Sequence, residues 1–179
     1  MYKNFAKVLI NEKTLQLKVK EIADKISNDY KGETPLFVCI LKGSVFFTTD
    51  LLKYLSIPCH IEFMSVSSYG AGTESSGEVR LVKDLNVPIE NKHVIIVEDI
   101  IDSGNTLSYL KRLLLQRRPA SLKICTLLDK PSRRKVDLKA DYSGFEIPDE
   151  FVVGYGLDYN EDYRQIPEIC ILKREVYEK

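Results

Sequence analysis

At 179 residues the chain is the size of one ordinary domain, long enough to bury a core. Hydrophobic residues make up 44% and charged residues 29%, as in a soluble globular protein, and 26 basic residues balance 26 acidic ones. The zero net charge argues against general nucleic-acid binding, which needs a basic surplus, and no apolar run approaches a membrane span. Cys39, Cys59, Cys125 and Cys170 form no C-x-x-C pair; Cys39 and Cys125 sit inside apolar runs. They read as reduced core residues of a cytosolic protein. The start, Met1-Tyr-Lys-Asn-Phe-Ala-Lys7, has no apolar signal-peptide segment.

Residues 11–30 are predicted to form a helix, with Leu15, Val19, Ile22, Ala23, Ile26 and Tyr30 on one face. Asn11 is the expected N-cap, and Gly32 lies just past the end. Leu36-Phe-Val-Cys-Ile-Leu41 is a buried strand that stops at Lys42-Gly43-Ser44, and a helix follows over 45–54. This turn suits an anion cradle and equally a plain strand-to-helix connection. A strand is predicted at 61–66. Then Ser67 to Gly77 holds three glycines and five Ser/Thr in eleven residues, too polar to pack a core. Glu78 to Val82 returns as a strand.

Val94-Ile-Ile-Val97 is a β-branched run that reads as a strand buried on both faces. An acidic loop follows, with Glu98, Asp99 and Asp102, then Ser103-Gly104-Asn105-Thr106 leads into a helical pattern from Leu107 to Leu115. A strand, a glycine-bearing loop and a helix N-terminus together suit a phosphorylated ligand, because unpaired N–H groups and the positive end of the helix dipole face it. Gly104 lets backbone approach a phosphate, and Ser103 and Thr106 add hydroxyl donors. Phosphate alone does not call for adjacent carboxylates. A sugar phosphate does, through its vicinal hydroxyls and a divalent cation with its waters.

Leu122 to Leu128 is another buried strand, ending at Asp129-Lys130-Pro131. A lysine at a strand's carboxyl end suits either the ligand crevice of an open α/β sheet or solvent. Arg133-Arg134-Lys135 reads as a charged surface turn. The tail, from Phe145 through Phe151-Val-Val-Gly-Tyr-Gly-Leu-Asp158 to Arg164 and Pro167, mixes aromatic, small and acidic residues, and Ile169–Leu172 is a last strand. Buried strands alternating with helices give an α/β fold.

The stretch Val94-Ile-Ile-Val-Glu-Asp-Ile-Ile-Asp-Ser-Gly-Asn-Thr-Leu107 resembles the phosphoribosyl-pyrophosphate (PRPP) motif of type I phosphoribosyltransferases, in the form of the hypoxanthine-guanine branch. Leu41-Lys-Gly-Ser44 resembles that branch's pyrophosphate loop, in which the peptide equivalent to Leu41-Lys42 can be cis. Ser68-Tyr69 is similar to the motif pair of the family's lid. Phe151-Val-Val-Gly-Tyr-Gly-Leu-Asp-Tyr-Asn-Glu161 with Arg164 resembles its base-binding hood. The resemblance spans nearly the whole chain, with four motifs in order. It implies one domain over residues 1–179: a central, mostly parallel sheet flanked by helices (about 11–140) and a small hood, mainly 141–179 with part of the N-terminus.

The implied reaction is purine salvage: 5-phosphoribosyl passes from PRPP to N9 of hypoxanthine, and of guanine, with two Mg2+ ions in the site. Glu98, Asp99, Ile100, Ile101, Asp102, Ser103, Gly104, Asn105, Thr106 and Leu107 would bind PRPP, the backbone N–H groups of Asp102 to Leu107 with the Ser103 and Thr106 hydroxyls holding the 5-phosphate. Glu98 and Asp99 would take the ribose hydroxyls or the metal, and Asp158 would anchor the second Mg2+. Lys42, Gly43, Ser68, Tyr69 and Arg164 would hold pyrophosphate. Lys130, Phe151, Val152 and Asp158 would bind the base, and Asp102 would be the general acid/base at N7. Asn105 and Gly156 depart from the family's pattern with no evident chemical consequence. The expected partners are small molecules, with no nucleic acid or membrane, in a cytoplasmic homodimer or homotetramer. The alternatives are a xanthine-preferring enzyme and a non-catalytic PRPP-sensing regulator.

Overall fold

The computed structural model describes residues 2–68 and 79–178, with the side chains of Tyr2 and Ser68 outside the description. Six strands form the main sheet: β2 (Leu36–Leu41), β3 (His60–Ser68), β4 (Val79–Lys83), β5 (His93–Ile101), β6 (Ser121–Asp129) and β7 (Tyr142–Glu146). Their order is β4-β3-β2-β5-β6-β7. All neighbours run parallel except β3 and β4, so the α/β sheet is mostly parallel, as expected.

Helix α1 (Glu12–Asp29) begins where Asn11 Oδ1 accepts from Thr14 N at 2.9 Å, and the six expected side chains are buried. It packs with α2 (Val45–Tyr54) on one face of the sheet, over Phe37, Ile95, Val97 and Leu127. Helix α3 (Asn105–Leu115) covers the other face through Leu107, Leu110 and Leu114, over Val38, Ile40, Ile96 and Ile124. Alternate residues of β2 and β5 therefore feed opposite cores, and both strands are apolar throughout that double burial.

A second, antiparallel sheet has the order β1-β9-β8, from β1 (Phe5–Ile10), β9 (Ile169–Leu172) and β8 (Val152–Val153). Strand β1 escaped the periodicity because only Phe5 and Ile10 are fully buried. The main sheet also reaches past position 141, the expected start of the hood, since β7 pairs with β6. The short helix α4 (Arg174–Tyr177) ends the described chain.

Candidate active site

The chain leaves β2 for β3 on one side and β5 for β6 on the other, so the strand order reverses between the parallel neighbours β2 and β5. In open α/β sheets ligands bind at the carboxyl ends of the strands flanking that point. Pairing of β2 with β5 stops at Cys39↔Val97, whereas pairing of β5 with β6 continues to Ile101↔Asp129. Glu98 to Ile101 therefore lie on the strand, not in the loop expected for them. Strand β6 holds them on one side, and they open toward the turn after β2 on the other.

That turn carries the Leu41-Lys42 cis peptide. The carboxylate of Asp99 lies against Gly43, where a Cβ would overlap Oδ2. Asp99 Oδ1 accepts from Ile100 N at 2.7 Å. Burial pushes the Asp99 carboxyl up to about 6, opposed by backbone donors and Arg164 and reinforced by Asp158. Burial also pushes Glu98 well above the usual carboxylate range, with the charge of Asp99 adding to it. Glu98 Oε2 is sealed from solvent without a hydrogen-bond partner. Such a carboxylate is satisfied by a ligand hydroxyl, a metal or a metal-bound water.

Arg164 arrives from the tail. Its Nη1 donates to Gly156 O at 2.8 Å, Nη2 pairs with Asp158 Oδ1 at 2.9 Å, and Nε has no partner. Asp158 Oδ2 also accepts from Glu161 N at 2.9 Å, and Lys42 Nζ pairs with Glu161 at 2.8 Å. Among the described residues no group of three or more His, Cys, Asp or Glu forms a ready cage. Mg2+ needs none, because it keeps several waters and takes one or two carboxylates plus substrate phosphates. Glu98 and Asp99 fit that demand, and Asp158 retains spare lone pairs.

Asp102, Ser103 and Gly104 turn the chain into α3. Gly104 adopts φ +83°, and no side chain caps the helix. Ser103 Oγ accepts from Asn105 N at 3.4 Å. Glu98, Ile100 to Gly104, Thr106 and Leu107 line a hollow of about 100 Å3 over the helix N-terminus, an anion site by geometry. Ile101 and Leu107 bury their side chains in the core and can offer only backbone.

The segment after β6 braces this loop. Arg134 Nη1 donates to Asp102 O at 2.9 Å, Arg134 Nη2 pairs with Asp129, and Lys135 N donates to Ser103 O at 2.9 Å. A Cβ at Gly104 would come within 2.9 Å of Val136 Cγ2. Arg134 is thus no surface charge, as its sequence context suggested, but a half-buried strut. A larger hollow of about 380 Å3, lined by Arg134 with Asp129, Pro131, Val136 and Leu138, includes neither Glu98 nor Asp99.

Lys130 is 7% exposed. Its N donates to Ile101 O at 2.9 Å, and Nζ donates to Glu150 O at 2.6 Å. Burial lowers its pKa, opposed chiefly by Asp102 and Asp149. An ammonium with one carbonyl partner keeps donors to spare, and Lys130 is buried rather than solvated. Phe151 is 36% exposed, stacked on Tyr177 at 4.8 Å and edge-on to Tyr159. Leu172 N donates to Phe151 O, which makes Val152↔Ile171 a non-hydrogen-bonded pair. The N–H and C=O of Val152 consequently face the outer edge of β8, on the same segment as Phe151.

Gly156, expected to carry no chemical consequence, has a steric one: it holds φ +101°, and a Cβ there would overlap Gly43 O, so it seats the tail on the β2 turn. Only the fold exposes that. Tyr69 and the side chain of Ser68 lie outside the described residues.

Residues 8–160 match the phosphoribosyl transferase domain model. The hypoxanthine-guanine phosphoribosyltransferase of Bacillus subtilis (strain 168) is 52% identical over 178 residues, covering 99% of both chains. A bifunctional protein TilS/HprT of Listeria monocytogenes serotype 4b is 53% identical over 99% of this chain, which spans only 27% of that protein's length. The crystal structure of a hypoxanthine phosphoribosyltransferase from Staphylococcus aureus superposes with a TM-score of 0.96 at 51% identity, covering 100% of this chain and 97% of that one.

Proposed function

The chain belongs to the phosphoribosyl transferase domain family, and we propose that it transfers 5-phosphoribosyl from PRPP to N9 of hypoxanthine, and of guanine, in purine salvage. The observation that carries this reading is the position of Asp102. It stands between an uncapped helix N-terminus suited to a 5-phosphate and a buried lysine suited to the 6-oxo group.

The C1–O bond to pyrophosphate breaks, its electron pair leaves with pyrophosphate, and N9 forms the new bond to C1. Backbone N–H groups from Ser103 to Leu107 hold the 5-phosphate. Glu98 and Asp99 face the ribose hydroxyls and the metal, and their hard-to-ionise carboxylates, with Glu98 Oε2 sealed from solvent, favour a cationic or hydroxyl-bearing partner. Glu98 and Asp99, with Asp158, would hold Mg2+, which would supply charge neutralisation for the departing pyrophosphate. The Lys42 and Gly43 amides and the Arg164 fork receive the pyrophosphate, whose growing charge they stabilise. Phe151 stacks on the purine, the outward edge of Val152 reads its pyrimidine side, Lys130 donates to O6, and Asp102 exchanges the N7 proton.

The four cysteines are free, which supports a reducing, cytoplasmic setting. No helix among the described residues is long and apolar enough to cross a membrane. Assembly as a dimer or tetramer is supported by the exposed Leu17, Phe46 and Tyr54 on the paired helices α1 and α2. The test of function is nucleotide formation from PRPP and Mg2+ with hypoxanthine, guanine, xanthine or adenine. Turnover of the first two is expected. Preference for xanthine would reassign the substrate, and PRPP binding without turnover of any base would identify a regulator.

A further inference from the structure

We propose that Arg133 is a positioning residue for proton transfer: its guanidinium holds Asp102 by Oδ1 and leaves Oδ2 to meet the purine. The proposal rests on the reading of Asp102 as the acid/base group. Arg133 Nε lies 2.7 Å from Asp102 Oδ1, and its Nη1 lies 3.3 Å from Asp149 Oδ1. A guanidinium hydrogen-bonded to Asp149 at one nitrogen and ion-paired to Asp102 at another bridges two segments at once, a strut that a lysine ammonium, a single point charge, makes less well. Oδ1 of Asp102 is sealed from solvent and meets Arg133 Nε as an ion pair, without a well-aligned hydrogen bond, while the side chain as a whole is 44% exposed, so the accessible oxygen is Oδ2.

The geometry of the substrate explains why such a strut is useful. N7 and O6 are neighbours on one edge of a 6-oxopurine, so the groups that meet them must keep a fixed separation. Lys130 and Asp102 sit on different segments. The turn that follows Lys130 reaches across to Asp102 twice: Arg134 fixes its main-chain carbonyl at 2.9 Å, and Arg133 fixes its carboxylate. Arg133 N also donates to Lys130 O at 3.1 Å, which ties the strut to the lysine's own backbone. A single short turn thereby sets both the donor for O6 and the acceptor for N7.

Arg133 acts by aiming the carboxylate: the pair is half exposed, 48% on Arg133 and 44% on Asp102, so solvent screens its charge. Misplacing a reacting group by an ångström can cost on the order of a hundredfold in rate. Removing Arg133 therefore slows the chemistry.

The test is a double-mutant cycle read by single-turnover nucleotide formation with enzyme in excess over hypoxanthine. Arg133→Ala is expected to slow that step by about tenfold, with the Kd of Mg·PRPP within about twofold and an unchanged melting temperature. Arg133→Lys should recover part of the loss. In an Asp102→Asn background Arg133→Ala should cost nothing further, because the carboxylate whose proton transfer it aims is gone. An equal loss in both backgrounds would overturn the proposal, as would no loss in the wild-type background when Asp102→Asn is itself slow. If Asp102→Asn turns over at the wild-type rate, the acid/base reading fails first, and that outcome is distinct from either of these.

Discussion

The carboxylate of Asp99 rests on the Cα of Gly43, so closely that a methyl group there would overlap Oδ2. The contact joins the ends of β5 and β2 across the point where the strand order reverses. Asp99 is also held by Ile100 N at 2.7 Å, so it cannot yield without leaving its place. Gly43→Ala is therefore expected to raise the KM for PRPP by about tenfold, equivalent to about 1.4 kcal/mol, with little change in melting temperature. Steady-state kinetics with varied PRPP provides the check, and an unchanged KM would remove Asp99 from the PRPP site.

Gly156 meets backbone where Gly43 meets a side chain. Its φ of +101° and the overlap of any Cβ with Gly43 O both forbid substitution. Gly156→Ala should destabilise the protein by about 1–3 kcal/mol and weaken PRPP binding as well. The loss reaches PRPP because Gly156 O accepts from Arg164 and its N donates to Arg164 O at 3.0 Å. Denaturant unfolding and PRPP titration together test this, and a wild-type midpoint would contradict it.

The acidic pair gives a pH dependence of defined sign. The Asp99 carboxyl rises from an ordinary value of 3.8 to about 6 on folding, so the folded state binds that proton more tightly. Its contribution to stability is most favourable below the unfolded value and is lost as pH rises toward and through about 6. Asp99→Asn should accordingly stabilise the ligand-free protein above pH 6 by on the order of 1–3 kcal/mol, and hardly at all near pH 4. Melting curves of both proteins over that range test it, and a difference that does not change with pH would contradict it.

Lys130 should set the choice of base. The ammonium only donates. It suits the 6-oxo acceptor of hypoxanthine and guanine and meets the amino group of adenine without a partner, at a cost that buried charge makes large. Lys130→Gln, whose amide offers either polarity, is expected to narrow the hypoxanthine-to-adenine ratio of kcat/KM by about tenfold or more. An unchanged ratio would shift selectivity to the backbone edge of Val152.

Much of this was legible in the residues. The apolar face of α1 and the limits of β2, α2 and β9 follow from periodicity and their punctuating Lys-Gly and Pro residues, because burial on one or two faces leaves its period in the chain. The end of β5 was not legible. Glu98 and Asp99 look like loop residues, and only the continued pairing of β6 keeps them on a strand. Strand β1 was hidden by exposed Ala6 and Lys7. Arg134 and Gly156 act through contacts 32 and 113 positions away along the chain, Arg134 with Asp102 O and Gly156 with Gly43 O. Local composition carries no trace of such partners, so a charged turn and a lone glycine concealed a strut and a seat.

The most direct test of the account is Asp102→Asn, measured for PRPP affinity and for turnover in the same preparation. The substitution keeps the shape of the side chain and one acceptor, and it leaves the backbone cradle of the 5-phosphate in place. The expected result is a loss of kcat of about 10²–10⁴-fold with the Kd of Mg·PRPP changed by no more than about threefold. Collapse of PRPP affinity with kcat preserved would make Asp102 a binding residue and contradict the assignment of proton transfer to it.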